Sequence, residues 1–155
     1  MPTPIYRQQQ GSTLWVAAAS MPASTLANNA ITGTAVTRIQ SVASYSGAML
    51  LDLWLSGSFG VDPAGAGALQ AIVVARSPDG VQGPTPTSAI ARNVYTFAQA
   101  PNATSGKVYA IERIPVPLDC DIWLFNNATG QTFTYTNTMN TSAAAFGAIL
   151  WTPGT

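Results

Sequence analysis

Short segments in which apolar and polar residues alternate recur along most of the chain, and clusters of Gly, Pro, Asn and Ser separate them. Almost no stretch has the helical period of about 3.6 residues. The pattern predicts nine strands, at residues 12–18, 31–39, 48–56, 68–76, 93–98, 107–114, 120–126, 132–137 and 146–151. We therefore expect an all-β fold: a single antiparallel β-sandwich, of jelly-roll type, with about eight or nine strands.

Two of these segments divide into a core row and an opposite row, as a strand with one buried face requires. The core rows are Met49, Leu51, Leu53 and Leu55 in one segment and Cys120, Ile122 and Leu124 in the other. We expect these residues to be buried, and Cys120 to behave as an inert small hydrophobe.

The rows opposite the core rows mix acids with aromatic side chains. Trp54 lies opposite the first core row, and Trp123 and Phe125 lie opposite the second. Two explanations are open at this point. Either loops or a neighbouring strand of the same chain cover these rings, or the rings form a contact between subunits, where aromatic residues are enriched.

Two stretches are predicted to extend from the sandwich. Residues 1–10 contain two prolines and three consecutive glutamines, which suits an extended arm lying along a partner. Residues 57–67 form a Gly- and Ala-rich connection with one large anchor, Phe59. We expect an arm of residues 1–10 and one sandwich domain of residues 11–155. The candidate partner interface comprises Trp54, Trp123, Phe125, Ile5, Tyr6 and Phe59.

The composition excludes most enzymatic chemistry. The 155 residues include no histidine and one cysteine, so a single chain cannot build a Ser-His-Asp triad, a Cys-His dyad or a zinc cluster. We predict no catalytic residue, no cofactor and no metal ion, and a protein that is not an enzyme. The apolar runs are too short to span a bilayer, so no membrane partner is expected.

The charge balance bears on the partners. Six basic residues balance six acidic ones, and only 8% of the residues are charged. Nucleic-acid binding needs a concentrated basic face, so we expect no nucleic-acid partner. A neutral chain with few charges also lacks the repulsion that keeps proteins apart, which favours a protein that works inside an assembly.

The acidic residues suggest one alternative chemistry. Asp119 and Asp121 share one face of a strand, a spacing that a calcium site or a carboxylate hydrolase could use. A solvated face or an ion pair with Arg92 or Arg113 is the simpler interpretation. Glu112 is either exposed or buried with an arginine partner, because an unpaired buried carboxylate would be costly.

Four motifs follow one another along the middle of the chain. They are MLLDLWL at residues 49–55, LQAIVVARSPDG at 69–80, RIPVPL at 113–118 and DIWLFNNATG at 121–130. This order resembles a group of small virion proteins of tailed bacteriophages, commonly encoded among head and tail genes. In that group a Ser-x-Asp-Gly turn precedes an Ile-Pro-x-Pro corner and a strand closing on Asn-Asn-x-Thr-Gly. The resemblance implies a β-sandwich or jelly roll that is part of the particle, with no catalytic residues.

Within that resemblance we expect a capsid decoration or cement protein. It would oligomerise as a homotrimer, assemble in the host bacterial cytoplasm, lie on the capsid exterior and tie neighbouring major capsid subunits together. An alternative is a tail, collar or fibre-base component with the same sandwich. A third hypothesis, from a different class, is a carbohydrate-binding module that stacks sugars on Trp54, Trp123, Tyr109 or Tyr135.

Overall fold

The structure is a computed structural model of the chain. It describes residues 6–40, 49–63, 67–77, 79–87, 93–98, 103–117, 119–139 and 143–153. The strands are β1 (Tyr6–Val16), β2 (Thr25–Leu26), β3 (Thr37–Gln40), β4 (Met49–Phe59), β5 (Ala68–Ala75), β6 (Val94–Thr96), β7 (Lys107–Val116), β8 (Asp119–Asn127), β9 (Phe133–Tyr135) and β10 (Phe146–Pro153). A short 3-10 turn, Ala18–Ser20, follows β1.

The strands form two antiparallel sheets that pack together. The six-stranded sheet contains β1, β10, β4 and β7 side by side, and β9 and β2 continue it beyond the end of β10. The four-stranded sheet has the order β3-β8-β5-β6. Apart from the short β2 and β9, β1 pairs with β10, β3 with β8, β4 with β7, and β5 with β6. Successive pairs alternate between the sheets, which confirms the predicted jelly-roll arrangement.

The core lies between the sheets and contains both predicted core rows. Leu51, Leu53 and Leu55 of β4 are fully buried, and so are Cys120 and Ile122 of β8. Leu124 is 1% exposed, whereas the side chain of Met49 lies outside the described residues. The period-two alternation in the sequence thus identified the inward face of both strands correctly.

One end of the core is an aromatic cluster centred on Phe133 of β9. Its ring meets Phe59, Tyr135 and Tyr109 edge-on, with ring centroids 5.1, 5.5 and 5.8 Å away. Edge-to-face contacts of this kind are the favoured arrangement of aromatic pairs. Gly57 leaves room for the Phe133 ring, because a Cβ atom at that position would lie 2.3 Å from it.

Some strand boundaries differ from the prediction. The segment predicted at residues 31–39 is regular only over β3, although residues 29–36 also bond to β8, for example from Thr32 N to Leu124 O at 2.9 Å. Regular pairing along this segment begins only after Gly33 and Thr34, which are exposed. The two-residue strand β2 was not predicted, because two residues are too few to show a period.

The first strand overlaps the predicted arm. Tyr6 pairs with Pro153 and Gln8 with Trp151, so residues 6–10 belong to an edge strand of the six-stranded sheet. The boundary predicted at residue 10 therefore falls inside β1, and residues 1–5 lie outside the described residues. Polar composition did not prevent strand formation, because an edge strand can be held by its backbone ladder to β10 alone.

Deleting residues 1–10 will lower the free energy of unfolding. The deletion removes the ladder that Tyr6 to Gln8 make with the end of β10 and leaves Trp151 next to an uncovered edge. We expect a loss of about 1 to 2 kcal/mol in the free energy of unfolding, measured by urea unfolding of the full and truncated chains. An unchanged midpoint would show that these residues are the separate arm that their composition suggested.

Candidate functional site

Two of the predicted interface residues, Trp123 and Phe125, are covered by their own chain. Trp123 is 2% exposed and Phe125 is 6% exposed on the outer side of β8. They form a small cluster with Ile72 of β5, against which Ile31 and other apolar residues of neighbouring segments pack. For Trp123 and Phe125 the same-chain explanation is therefore correct, and the prediction of a partner contact is corrected.

The other predicted interface residues have different positions. Phe59 is 3% exposed and belongs to the Phe133 cluster, so it anchors the core rather than a loop contact. Tyr6 begins β1, and Ile5 lies outside the described residues. Among the predicted interface residues whose side chains the structure describes, Trp54 alone is partly exposed.

Trp54 belongs to an extended apolar surface on the outer side of the six-stranded sheet. The strand register places Trp54 opposite Gly147, which is also opposite Trp15, and it places Leu50 opposite Trp151. Directly opposed residues share a face of a sheet. We call this surface the tryptophan face; its apolar outward residues are Trp15, Leu50, Trp54, Val108, Ala110, Pro115, Ile149 and Trp151, all partly or fully exposed.

Trp15 and Trp54 meet above Gly147. Their ring centroids are 6.2 Å apart with a tilt of 37°. A Cβ atom at Gly147 would lie 2.2 Å from the Trp15 ring, so this ring rests directly on the glycine. The absence of a side chain at Gly147 thus allows β1, β10 and β4 to carry a continuous pair of indole rings.

Trp151 is held in place by a carboxylate and a cation. Its indole Nε1–H donates to Asp52 Oδ2 at 2.6 Å, and the guanidinium carbon of Arg113 lies 4.0 Å from its ring centroid. The backbone N–H of Arg113 donates to Asp52 Oδ1 at 2.7 Å, and its Nε lies 3.6 Å from the same oxygen. Asp52 is 6% exposed, so these partners compensate for the burial of its charge.

The position of Arg113 depends on an irregularity in β7. The register between β4 and β7 shifts between Leu51 and Leu53, and Arg113 has a positive φ of 55°. Such a bulge turns a side chain away from the direction that regular alternation would give it. It brings the Arg113 guanidinium over Trp151 while half of the side chain stays exposed.

Polar groups border the tryptophan face at its other end. The hydroxyl of Ser56 in β4 contacts the hydroxyls of Thr136 and Thr138, and Thr138 is exposed. Val108 of β7 lies opposite Ser56 and is 49% exposed. The surface therefore has an apolar centre and a polar margin, which is the usual composition of a contact between proteins.

Both buried acidic residues, Asp52 and Asp121, have partners within the chain. Asp52 is already engaged by Trp151 and Arg113, and the partners of the other buried acid, Asp121, lie on the opposite sheet. Among the described residues, no group of three His, Cys, Asp or Glu side chains could hold a metal ion. The same residues include no helix long and apolar enough to cross a membrane.

The acids of β8 pair with arginines that the sequence did not single out. Asp121 bonds to Arg76 at 2.9 Å and Asp119 bonds to Arg38. Arg113 contacts Asp52 instead, and Arg92 lies outside the described residues. The hydrogen bond from Arg38 lowers the pKa of the Asp119 carboxyl. Glu112 is exposed, which decides between the two alternatives for that residue.

A groove on the other sheet is a weaker candidate. It has a volume of about 470 Å³ and lies between β5 and the segment 84–86. Its described lining consists of apolar side chains with Thr85 and Asn93 and contains no ionisable group. The groove has room for a ligand, but its described lining has no charged side chain that would select one.

Sequence reasoning missed Trp15 and Trp151, although a signal was present. In the segment 146–151, Phe146, Ala148 and Leu150 share one parity and form part of the core. Trp151 has the opposite parity, the same arrangement that separated Trp54 from its core row. Applying the parity test to every predicted strand would have found both tryptophans, but not their proximity.

Cys120 will resist thiol reagents in the folded protein. It is fully buried, and burial raises the pKa of its thiol from 9.0 to about 12. Only the thiolate reacts, so at pH 8 native protein should label far more slowly than protein in urea. Because the unfolded thiol ionises first, stability should fall as pH rises from about 9 towards about 12. Rapid native labelling would show that the β8 face is inverted.

Comparison with known proteins identifies no relative. No protein-family model, no curated protein and no solved structure matches the chain.

Proposed function

We propose that the chain is a non-enzymatic structural protein of a tailed-bacteriophage particle, of the capsid decoration or cement type. In this role it forms homo-oligomers, lies on the capsid exterior and bridges subunits of the major capsid protein. The tryptophan face carries the proposal, because it is a broad apolar surface suited to another protein of the same assembly.

The energetics support a protein partner for this face. Burying one large apolar side chain stabilises a contact by roughly 1.5 to 3 kcal/mol, and several are partly exposed on the same surface. Tryptophan is also one of the residue types enriched among the anchors of protein interfaces. With a net charge of zero, the chain has no overall electrostatic repulsion to oppose association.

The fold is consistent with this role without deciding it. Jelly rolls occur in viral capsid domains and also in lectins and cupins, so the topology alone does not select one function. The resemblance of residues 47–130 to small virion proteins favours the first of these. A tail, collar or fibre-base component with the same sandwich is the nearest alternative.

Quantitative mass spectrometry of purified particles tests the proposed function. A decoration protein should be present at hundreds of copies per particle, roughly in proportion to the major capsid protein, because it covers repeated capsid sites. Copy numbers of a few tens or fewer would indicate a tail or collar component. Absence from the particle would refute the proposal.

Carbohydrate binding is the second candidate, and one observation favours it. The Trp15 ring lies against Gly147, an arrangement that could offer a flat aromatic platform to a sugar. Of the four residues first considered for stacking, Trp123, Tyr109 and Tyr135 are at most 5% exposed, which leaves Trp54. Titration of tryptophan fluorescence with soluble oligosaccharides tests this candidate directly.

A further inference from the structure

We infer that a second copy of this chain covers the tryptophan face, so that two six-stranded sheets pack face to face about a two-fold axis. The inference rests on the proposed function, because it names the partner of the same surface. A surface patch that meets its own copy makes a closed pair. The homo-oligomer built through this face is then a dimer rather than the trimer expected from the sequence.

The first argument is the composition of the face. Its outward apolar residues include Trp15, Trp54, Ile149 and Leu50, and its exposed charged groups, Glu112 and Arg113, lie on β7 at one margin. Asp52 lies opposite Ile149 within the face, but it is 6% exposed and is bonded to Trp151 and Arg113. Interfaces between identical subunits are more apolar and less charged at their centre than transient contacts. This composition therefore fits permanent self-association better than a contact that forms late in assembly.

The second argument concerns the time before assembly. A decoration protein exists free in the cell before it reaches a capsid, and an uncovered surface with three tryptophans would promote non-specific association. A second copy is the partner available wherever the chain itself is made. Covering the face in this way leaves the remaining surface of the pair for contacts with the shell.

The third argument is area. The four strands are spaced by about 4.8 Å, and the face runs along β4 from Leu50 to Ser56, about seven residues, which gives roughly 20 by 25 Å. Each copy would bury about 500 Å², so the pair would bury about 1,000 Å², the area that a specific interface needs as a minimum. Sheets that pack in this way keep their strands within about 30° of one another, as in a sandwich core.

The fourth argument is the charge at the margin. Glu112 and Arg113 are neighbours on β7, both are exposed, and they have opposite charges. Within the described residues, the terminal nitrogens of Arg113 make no hydrogen bond, although the guanidinium is positioned by Trp151 and Asp52. A two-fold axis near this margin would place Arg113 of each copy beside Glu112 of the other, which makes the patch complementary to itself.

A matched pair of valine variants tests the inference on the full chain. Val108 lies on the tryptophan face and is 49% exposed, whereas Val81 follows the turn after β5 and is 61% exposed. Neither is a core residue, so Val108→Asp and Val81→Asp should both keep a cooperative melt. Sedimentation velocity over a range of concentrations should show a dimer for the unchanged chain and for Val81→Asp.

Val108→Asp should weaken dimerisation about a hundredfold or more, because the two-fold axis places one unpaired carboxylate in the interface from each copy. The inference is overturned if the unchanged chain stays monomeric at about 100 μM, a concentration at which a specific dimer would form. It is also overturned if the two variants dissociate alike, or if Val108→Asp leaves the dimer intact. Saturable quenching of tryptophan fluorescence by an oligosaccharide, with a monomeric chain, would identify a glycan as the occupant instead.

Particle composition separates this inference from the proposed function. A dimer that dissociates on Val108→Asp, from a chain absent from purified particles, would support the inference and refute the decoration role. A monomeric chain present at hundreds of copies per particle would refute the inference and support the decoration role. The shell itself would then cover the tryptophan face.

Discussion

Replacing Arg76 with methionine will destabilise the fold by about 3 to 5 kcal/mol, because it leaves a buried carboxylate without its cation. Asp121 is 1% exposed on the outer side of β8, and Arg76 Nε and Nη2 donate to its Oδ1 at 3.1 and 2.9 Å. Arg76 Nη1 also donates to the carbonyl of Gly80 at 2.9 Å, which ties the following turn to the sheet. The substitution removes all three hydrogen bonds while conserving much of the side-chain volume.

The neighbouring ion pair supplies the matched control. Arg38 and Asp119 pair on the same sheet face, but their side chains are 36% and 22% exposed. Water can solvate Asp119 when its partner is removed, so Arg38→Met should change urea-unfolding midpoints far less than Arg76→Met. The double variant Arg76→Met/Asp121→Leu should recover part of the loss, because no charge then remains buried. Equal small effects of both arginine variants would contradict the buried-charge interpretation.

Replacing Trp123 with alanine will also destabilise the fold by about 3 to 5 kcal/mol, because it opens a cavity in the cluster with Ile72 and Phe125. Trp54→Ala should cost about 1 to 2 kcal/mol, since Trp54 is partly exposed and mainly loses its contact with Trp15. The two expected losses of stability differ because residues of the same chain cover the Trp123 ring, whereas the Trp54 ring is partly exposed. Both rings lie on rows opposite a core row.

Urea unfolding of the two alanine variants, with sedimentation velocity at low urea, checks this prediction. Trp123→Phe is the conservative variant: it keeps most of the ring and removes an indole N–H that has no hydrogen-bond partner among the described atoms. It should therefore cost much less than Trp123→Ala. If Trp123→Ala were as stable as Trp54→Ala, the Trp123 ring would be exposed and the assignment of the outer β8 face would be wrong.

Strand periodicity was informative because it depends on geometry within one segment. Alternate residues of an extended chain point to opposite sides, so the Leu51-Leu53-Leu55 row and the position of Cys120 could be predicted without knowing any partner strand. The same period does not say which segment, if any, packs on the outward face of the strand. Trp54 and Trp123 had the same local signature, yet residues 29–36 run beside β8 and contribute Ile31 and Ala35 to the cover of Trp123 alone.

Ion-pair partners were predicted poorly for a related reason. Candidate partners for Asp119 and Asp121 could be ranked only by residue type, whereas their actual partners depend on strand register. Arg38 is directly opposite Asp121 in the β3–β8 ladder and bonds diagonally to Asp119, and Arg76 reaches Asp121 from the end of β5. A register is set by the packing of the whole sheet, and a shift of one residue would exchange these neighbours.

The sequence by itself determined the all-β class, the core rows and the absence of histidine chemistry, because these follow from alternation and composition. Only the tertiary structure decided which outward rows stay partly exposed and which residues share a surface. Trp15, Trp54 and Trp151 lie far apart in the chain, and they become neighbours because the jelly roll pairs its first strand with its last and sets β4 beside them. Contacts of such long range depend on the packing of the complete sheets and leave no period in any local segment.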